Sequence, residues 1–406
     1  MNTITPDFSD QPKPSTSLAS IVILTCNQRE LTRACLESIR KHTASPYEVI
    51  VVDNASTDGT VADLEQHARE SNTYKVIFNS KNRGYPFANN QGIVASRGDF
   101  VILLNNDVVV TDGWLEGLIE CARSHPRIGI VGPMTNYISG PQCERGVAYR
   151  SMDEMQRFAT RYRTEHRYQW REFPRITGFC MLVKRELIEK IGGLDPLFGM
   201  GNCEDDDFCL RSIQVGYKNM IAGDVFIHHV GSQYWVKRGL DRYRQHLEFA
   251  QRLFVAKWGL TTEQVWRGER ITDALPPNVP LNAAPAEECF VRACQRFDQG
   301  MIPQALELLS LAEHHWTELQ FPEEKVSLFD IEVKRGDCWY HSGKLEEAKQ
   351  AYLRALRLRP HFAEACYSLG LCFERIGLPA AAREMFEEAL QMNPAWARAQ
   401  QKVSDS

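Results

Sequence analysis

No stretch of this chain stays apolar for the ~20 residues that a membrane span needs. The N-terminus lacks the basic-then-apolar pattern of a secretory signal. No Cys-x-x-Cys pair occurs, although there are twelve cysteines. They are scattered, and Cys35, Cys180, Cys366 and Cys372 sit in apolar settings. Reduced core thiols in a cytoplasmic protein are therefore expected, with at most peripheral association at the inner face of a membrane. Positive charge is not in excess either. The formal net charge is −5, which gives no nucleic-acid signal. What remains is an ordinary soluble composition, 43% apolar and 24% charged, spread over 406 residues. A chain of that length divides into two or three domains. Residues 1–17 are polar and carry Pro6, Pro12 and Pro14, so they read as a loose, disordered tail.

From Leu18 to about Leu260 strand and helix patterns alternate. Ser20–Thr25 (SIVILT) is a continuous apolar run that suits a strand covered on both faces. Leu31, Ala34, Cys35, Ser38 and Ile39 then recur at helical spacing. Further strands are expected at Glu48–Asp53, Tyr74–Phe78 and Phe100–Leu104, with helices after Gly59 and over Phe87–Val94. This alternation implies an α/β domain with a parallel-type sheet and helices on both faces. Ligands bind such sheets beyond the carboxyl ends of the strands. Asn27, Asp53 and Asn105–Asp107 follow strands and would share that crevice.

After Arg270 the segment ITDALPPNVPLNAAP is a Pro-rich linker by composition, residues 271–285. Beyond it the pattern changes. Gly336, Trp339, Gly343, Ala348, Tyr352, Ala355 and Pro360 recur as Gly370, Phe373, Gly377, Ala382, Phe386, Ala389 and Pro394, always 34 residues on. A weaker copy holds Ala293, Gly300, Ala305, Leu309 and Ala312. Small residues where two helices cross, at a 34-residue period, are the tetratricopeptide signature. Residues 286–406 are therefore expected to be all-α, with repeats at about 286–328, 329–362 and 363–396 and a C-terminal cap.

Four constellations carry chemistry. The run FVILLNNDVVV puts Asp107 at the end of a core strand, where a buried carboxylate needs a cation or a ligand unless a turn simply begins there. Asp53 follows a strand in VVDNASTDGT and suits a base or ribose edge; an Asx-turn is the other reading. NRGYPFANN offers Arg83 as a charge or donor and Gly84 for close backbone approach, or is a surface loop. GNCEDDDFCLR holds four consecutive acids, Glu204 to Asp207, and IHHVGS follows. Four adjacent carboxylates repel unless a helix start or cations relieve them, and His with Asp is a plausible hard-metal set once phosphate oxygens join.

Over residues 19 to about 235 these segments, taken in order, resemble the family 2 glycosyltransferases, particularly the rhamnosyltransferase-like ones. The matching runs are ASIVILTCNQ, VVDNASTDGT, NRGYPFANNQG, GDFVILLNNDVVV, TGFCMLVKRELIEKIGGLD, EDDDFCLRSIQVGYK and HHVGS. The resemblance implies an A-type nucleotide-sugar fold over residues 18–270 and an inverting, metal-assisted transfer from a UDP- or dTDP-sugar to an acceptor hydroxyl. It implies Mn²⁺ or Mg²⁺ held by Asp107 and His228, with His229 second to His228. Asp205 matches the general base. Thr25, Asn27, Asp53, Arg83, Gly84, Asn105 and Asn106 fall on the nucleotide. Gly178, Phe179 and Glu204 fall on the acceptor. Asn105 stands where the family's Asp-x-Asp pattern has its first acid, which removes one negative charge and leaves the metal more dependent on the donor's phosphates.

The tetratricopeptide repeats imply a protein partner, so the expected function joins sugar transfer to recruitment of a protein acceptor or assembly component. Two other readings stand beside it. One is a polysaccharide or lipid-linked-glycan transferase whose repeats only oligomerise or dock it. The other is a catalytically inactive scaffold.

Overall fold

The computed structural model of the protein describes residues 17–231, 240–267, 285–319, 326–360, 362–394 and 396–405. The tail expected over 1–17 lies outside these residues except for Ser17, and the expected linker lies outside them except for Pro285. The chain forms two compact units, residues 1–282 and 283–406. Among the described residues no helix is long and apolar enough to cross a membrane.

The first unit is built on a mixed sheet. Its strands are β1 (Ala19–Thr25), β2 (Tyr47–Asn54), β3 (Tyr74–Asn79), β4 (Phe100–Asn105), β5 (Val108–Val109), β6 (Ile128–Thr135), β7 (Trp170–Glu172), β8 (Cys180–Lys184) and β9 (Lys218–His229). Their order is β3-β2-β1-β4-β8-β6-β9-β5, with β7 also paired to β9. The first four are parallel, and β1, β2 and β4 are buried on both faces. Ile21, Val22, Ile23, Val49, Ile50, Val51 and Val52 are fully buried. Helices α1 (Arg29–His42), α2 (Thr60–Glu70) and α3 (Tyr85–Ala95) connect them. The expected parallel-type sheet is interrupted beyond β4, where β8 inserts antiparallel between β4 and β6, and β6 then pairs parallel with β9. The remaining helices of this unit are α4 (Trp114–Arg123), α5 (Met152–Glu165), α6 (Arg185–Ile191), α7 (Glu204–Gln214), α8 (Leu240–Trp258) and α9 (Thr262–Trp266).

Parallel register aligns the carboxyl ends. Thr25 lies beside Asp53, and Leu24 beside Asn105. The chain then turns through Asn106 and Asp107 into β5, where Val108 pairs with His229 and Val109 with His228. The end of β9 is thereby brought against the end of β4.

The four-acid run is divided by its helix. Asp207 faces the core, where Arg211 donates to its Oδ2 at 2.8 Å and Trp258 to its Oδ1 at 3.0 Å. Lys257 bridges Asp207 and Asp195, and all of these side chains are nearly or fully buried. Two cations balance two carboxylates. Removing one cation would leave a buried carboxylate uncompensated, which costs about 3–5 kcal/mol. Lys257→Met should therefore lower unfolding stability by about that amount, read from the urea midpoint. A loss below about 1 kcal/mol would contradict this reading of the network.

The second unit is all helical. Its helices pack in pairs, α10 (Pro285–Asp298) with α11 (Ile302–His314), α12 (Leu328–His341) with α13 (Leu345–Leu358), and α14 (Ala363–Ile376) with α15 (Pro379–Met392). Helix α16 (Ala397–Asp405) lies against α15. The 34-residue spacing has a steric cause. A Cβ on Gly336 would come within 2.4 Å of the Tyr352 ring, and one on Gly370 within 2.5 Å of the Phe386 ring. The second and third repeats thus each set a glycine under an aromatic ring at the crossing of their two helices.

Candidate active site

A cavity of about 440 Å³ opens beyond the carboxyl ends of β1, β2 and β4. Leu24, Cys26, Gln28, Asn54 and Asn82 line one side. Asn105, Asn106, Asp107 and His229 form its floor, and Gly178, Phe179, Glu204, Asp205 and Asp206 another wall. Tyr243 and Leu247 of α8 and Trp266 of α9 complete it.

On the floor Asp107 and His229 face each other, with Oδ1 and Nε2 3.3 Å apart. Both atoms are buried and neither has a hydrogen-bond partner. His229 Nδ1 lies 2.8 Å from the Tyr137 carbonyl oxygen. A carbonyl can only accept, so Nδ1 carries a proton and the Nε2 lone pair is available to a cation on the Asp107 side. The ring is held further by stacking on Phe179, at 5.2 Å between centroids, and its backbone N–H donates to Asn136 Oδ1 at 2.8 Å. An oriented imidazole with a fixed tautomer beside an unsatisfied carboxylate oxygen is a donor pair that Mn²⁺ or Mg²⁺ fits. Among the described residues no three His, Cys, Asp or Glu side chains gather as a metal site. A cation here would need the rest of its shell from outside the protein.

His228, expected to be the metal ligand, is placed elsewhere. Successive side chains on a strand point to opposite faces. His228 therefore turns away to Tyr149, whose hydroxyl pairs with its Nδ1, and it does not line the cavity. Burial, with His229 nearby, holds its pKa below the usual histidine value.

At the wall, Gly201, Asn202 and Cys203 all take positive φ, and α7 begins directly after them. Non-glycine residues rarely hold that conformation, and such strain gathers at functional sites. The turn aims the first turn of α7 at the cavity. Asp205 is oriented by two backbone N–H groups, Gly178 to Oδ2 at 3.0 Å and Asp206 to Oδ1 at 2.9 Å. Tyr85 links the wall to the floor. Its hydroxyl lies 3.1 Å from both the Gly178 carbonyl and Asn105 Oδ1. Burial, reinforced by the nearby Asp205 charge, lifts the Glu204 carboxyl well above its usual range.

The other expected nucleotide residues divide. Gly84, Asn105 and Asn106 line the cavity, whereas Thr25, Asn27, Asp53 and Arg83 do not. Gly84 has φ 79°, and a Cβ there would meet the Gly199 carbonyl oxygen at 2.2 Å. It permits a close approach of two backbones. Asn27 Oδ1 accepts the Thr57 N–H at 2.7 Å and so braces the loop after β2. Asn106 Nδ2 donates to Thr25 Oγ1 and Thr32 Oγ1, tying β4 to β1 and α1. Asp53 is 1% exposed; its Oδ2 accepts the Ser56 N–H at 3.0 Å, while its Oδ1 is buried without a partner. The Arg83 guanidinium stacks on Phe87 at 4.1 Å. Reading the motifs missed Arg175, Tyr243 and Trp266, and gave Tyr85 and Asp206 no role of their own.

Residues 20–192 match the sequence model of Glycosyl transferase family 2, and residues 335–396 that of the Tetratricopeptide repeat. Residues 20–192 thus form a family 2 glycosyltransferase domain, with tetratricopeptide repeats behind it. It is 28% identical over 257 residues to the uncharacterized protein y4gI of Sinorhizobium fredii, covering 59% of this chain and 28% of that one. It is 26% identical over 236 residues to the putative glycosyltransferase EpsH of Bacillus subtilis, covering 57% and 62%. It is 28% identical over 241 residues to the N-acetylglucosaminyl-diphospho-decaprenol L-rhamnosyltransferase of Mycobacterium tuberculosis, covering 53% and 76%. The chain spans less than two thirds of the length of the first two of these relatives.

Proposed function

We propose that this protein transfers a glycosyl group, with inversion, from a UDP- or dTDP-sugar to an acceptor hydroxyl, and that its repeats recruit the protein on which this happens. The observation that carries the reading is that the Asp107–His229 pair and Asp205 open on one cavity. One corner suits a diphosphate and its cation, and the other offers a base.

Asp205 takes the proton of the acceptor hydroxyl as its oxygen attacks the anomeric carbon, and the bond from that carbon to the nucleoside diphosphate breaks. The two N–H donors keep the Asp205 carboxylate fixed. Glu204 lines the same wall, and burial, with the Asp205 charge beside it, favours its neutral form. Mn²⁺ or Mg²⁺ at Asp107 and His229 would supply positive charge against the departing diphosphate.

Stacked helix pairs present a surface for an extended segment or protein partner. Deleting residues 286–406 should leave hydrolysis of UDP- or dTDP-sugars unchanged and abolish transfer to a protein acceptor. Transfer that survives the deletion on every protein acceptor tried would exclude recruitment. Absence of any turnover by the full chain, across a panel of nucleotide sugars with Mn²⁺, would exclude the transferase reading.

A further inference from the structure

Helix α8 ties down one loop of the cavity wall at both ends. The loop runs from Asp195 to Cys203 and leads directly into α7. At its start Lys257 pairs with Asp195, whose Oδ1 also accepts the Leu197 N–H at 3.0 Å. At its end the imidazole of His246 lies with Nε2 2.6 Å from the Gly201 carbonyl oxygen. A carbonyl can only accept, so Nε2 carries the proton. The two ties are about three helical turns apart, or ~16 Å along α8. Between them the Gly199 carbonyl accepts the Tyr85 N–H at 3.0 Å, and the Gly201 N–H donates to the Phe198 carbonyl at 2.8 Å.

The end of this loop is strained. Gly201, Asn202 and Cys203 take φ of 108°, 70° and 67°. The last two lack glycine's freedom, and such residues persist only where the surroundings over-determine them. The turn's own side chains do not supply that hold. Asn202 Nδ2 is buried without a hydrogen-bond partner, and Cys203 makes no side-chain hydrogen bond to the start of α7. The hold comes from outside the turn, through the Gly201 carbonyl.

We propose that His246 is a positioning residue: its hydrogen bond to the Gly201 carbonyl fixes the turn that sets Asp205 at the cavity. This rests on Asp205 being the base of the proposed transfer. His246 itself does not line the cavity, although its neighbours on the helix, Tyr243 and Leu247, do. It therefore acts through the backbone. Asp205 stands in the first turn of α7, so a turn that relaxes swings its carboxylate. The bond from the Gly178 N–H to Asp205 Oδ2, 3.0 Å long, is the contact such a swing breaks. A misplacement of about 1 Å at a reacting group costs up to about 10²-fold in rate.

The test uses the full chain and two readouts. In a crystal structure of His246→Leu, Asn202 or Cys203 should leave positive φ and Asp205 should lose the Gly178 N–H. A turn and a carboxylate that stay where they are overturn the proposal whatever the activity shows. The second readout is hydrolysis of a UDP- or dTDP-sugar with Mn²⁺, followed by release of the nucleoside diphosphate. His246→Leu should lower kcat about 10-fold or more with the donor KM unchanged, since the Asp107–His229 floor is not disturbed. Glutamine carries an amide N–H at about the reach of Nε2, so His246→Gln should recover kcat to within about threefold of wild type, which a merely structural role for the ring would not allow. Equal losses in His246→Leu and His246→Gln, or a wild-type kcat in His246→Leu, overturn the proposal. Should His246→Leu fail to fold, His246→Asn, polar but too short to reach the carbonyl, takes its place with the same expectations. Full hydrolysis by Asp205→Asn would remove the base assignment alone, and the crystallographic result would still decide what holds the turn.

Discussion

Asp205→Asn should lower transfer by about 10²–10⁴-fold, the contribution of a positioned general base. Asparagine keeps the shape and can still accept the Gly178 N–H, so the loop before β8 stays in place. What it cannot do is take a proton. Nucleotide binding should be almost unchanged, because Asp205 belongs to the wall of α7 and not to the Asp107–His229 floor. The check is kcat in a transfer assay, beside a thermal shift with UDP and Mn²⁺. Turnover near the wild-type level would remove Asp205 from the chemistry. Asp207→Asn is the contrasting case. That residue is fully buried between Arg211 and Lys257 and faces away from the cavity, so its loss should lower the melting midpoint more than the chemical step.

Those adjacent acids show why the fold was easier to read than the site. Four carboxylates in a row are visible in the sequence, and the resemblance marks Asp205 among them. Arg211 is a local partner of Asp207, four residues on, but Lys257 and Trp258 on Asp207 and Trp266 on Asp206 come from far along the chain. Nothing local in α7 announces those distant partners. The strands of the parallel half were legible because burial on both faces makes continuous apolar runs. The direction of β8 was not, since CMLVK reads the same whether it pairs parallel or antiparallel. The face of α1 was misplaced by about one position. Thr32 and Leu36 are buried where Leu31 and Ala34 were expected, because Thr32 serves the hydrogen bonds of Thr25 and Asn106. A polar residue turned inward for such a purpose defeats a pattern that counts only apolar residues.

The structure phases the two histidines one residue differently for a related reason, and they carry the second large effect. Val225, Phe226 and Ile227 are all buried, so β9 shows no alternation by which to phase the two residues that follow. Tyr149 settles the phase, contacting both Phe226 and His228 on one face and leaving His229 to the other. Hence His229→Ala should abolish the thermal shift that UDP with Mn²⁺ produces and lower transfer by about 10²-fold or more. Loss of a metal ligand removes the cation that offsets leaving-group charge. His228→Ala should keep the Mn²⁺-dependent shift, at the cost of one buried contact with Tyr149. Stabilisation by a ligand that binds only the folded state grows with its concentration over Kd, so the shift reads binding without requiring turnover. Mn²⁺ alone should move the wild-type midpoint little, because the protein offers it only one carboxylate and one imidazole. If His229→Ala retains a full shift with UDP and Mn²⁺, the pair on the floor is a structural ion pair and the metal is held elsewhere.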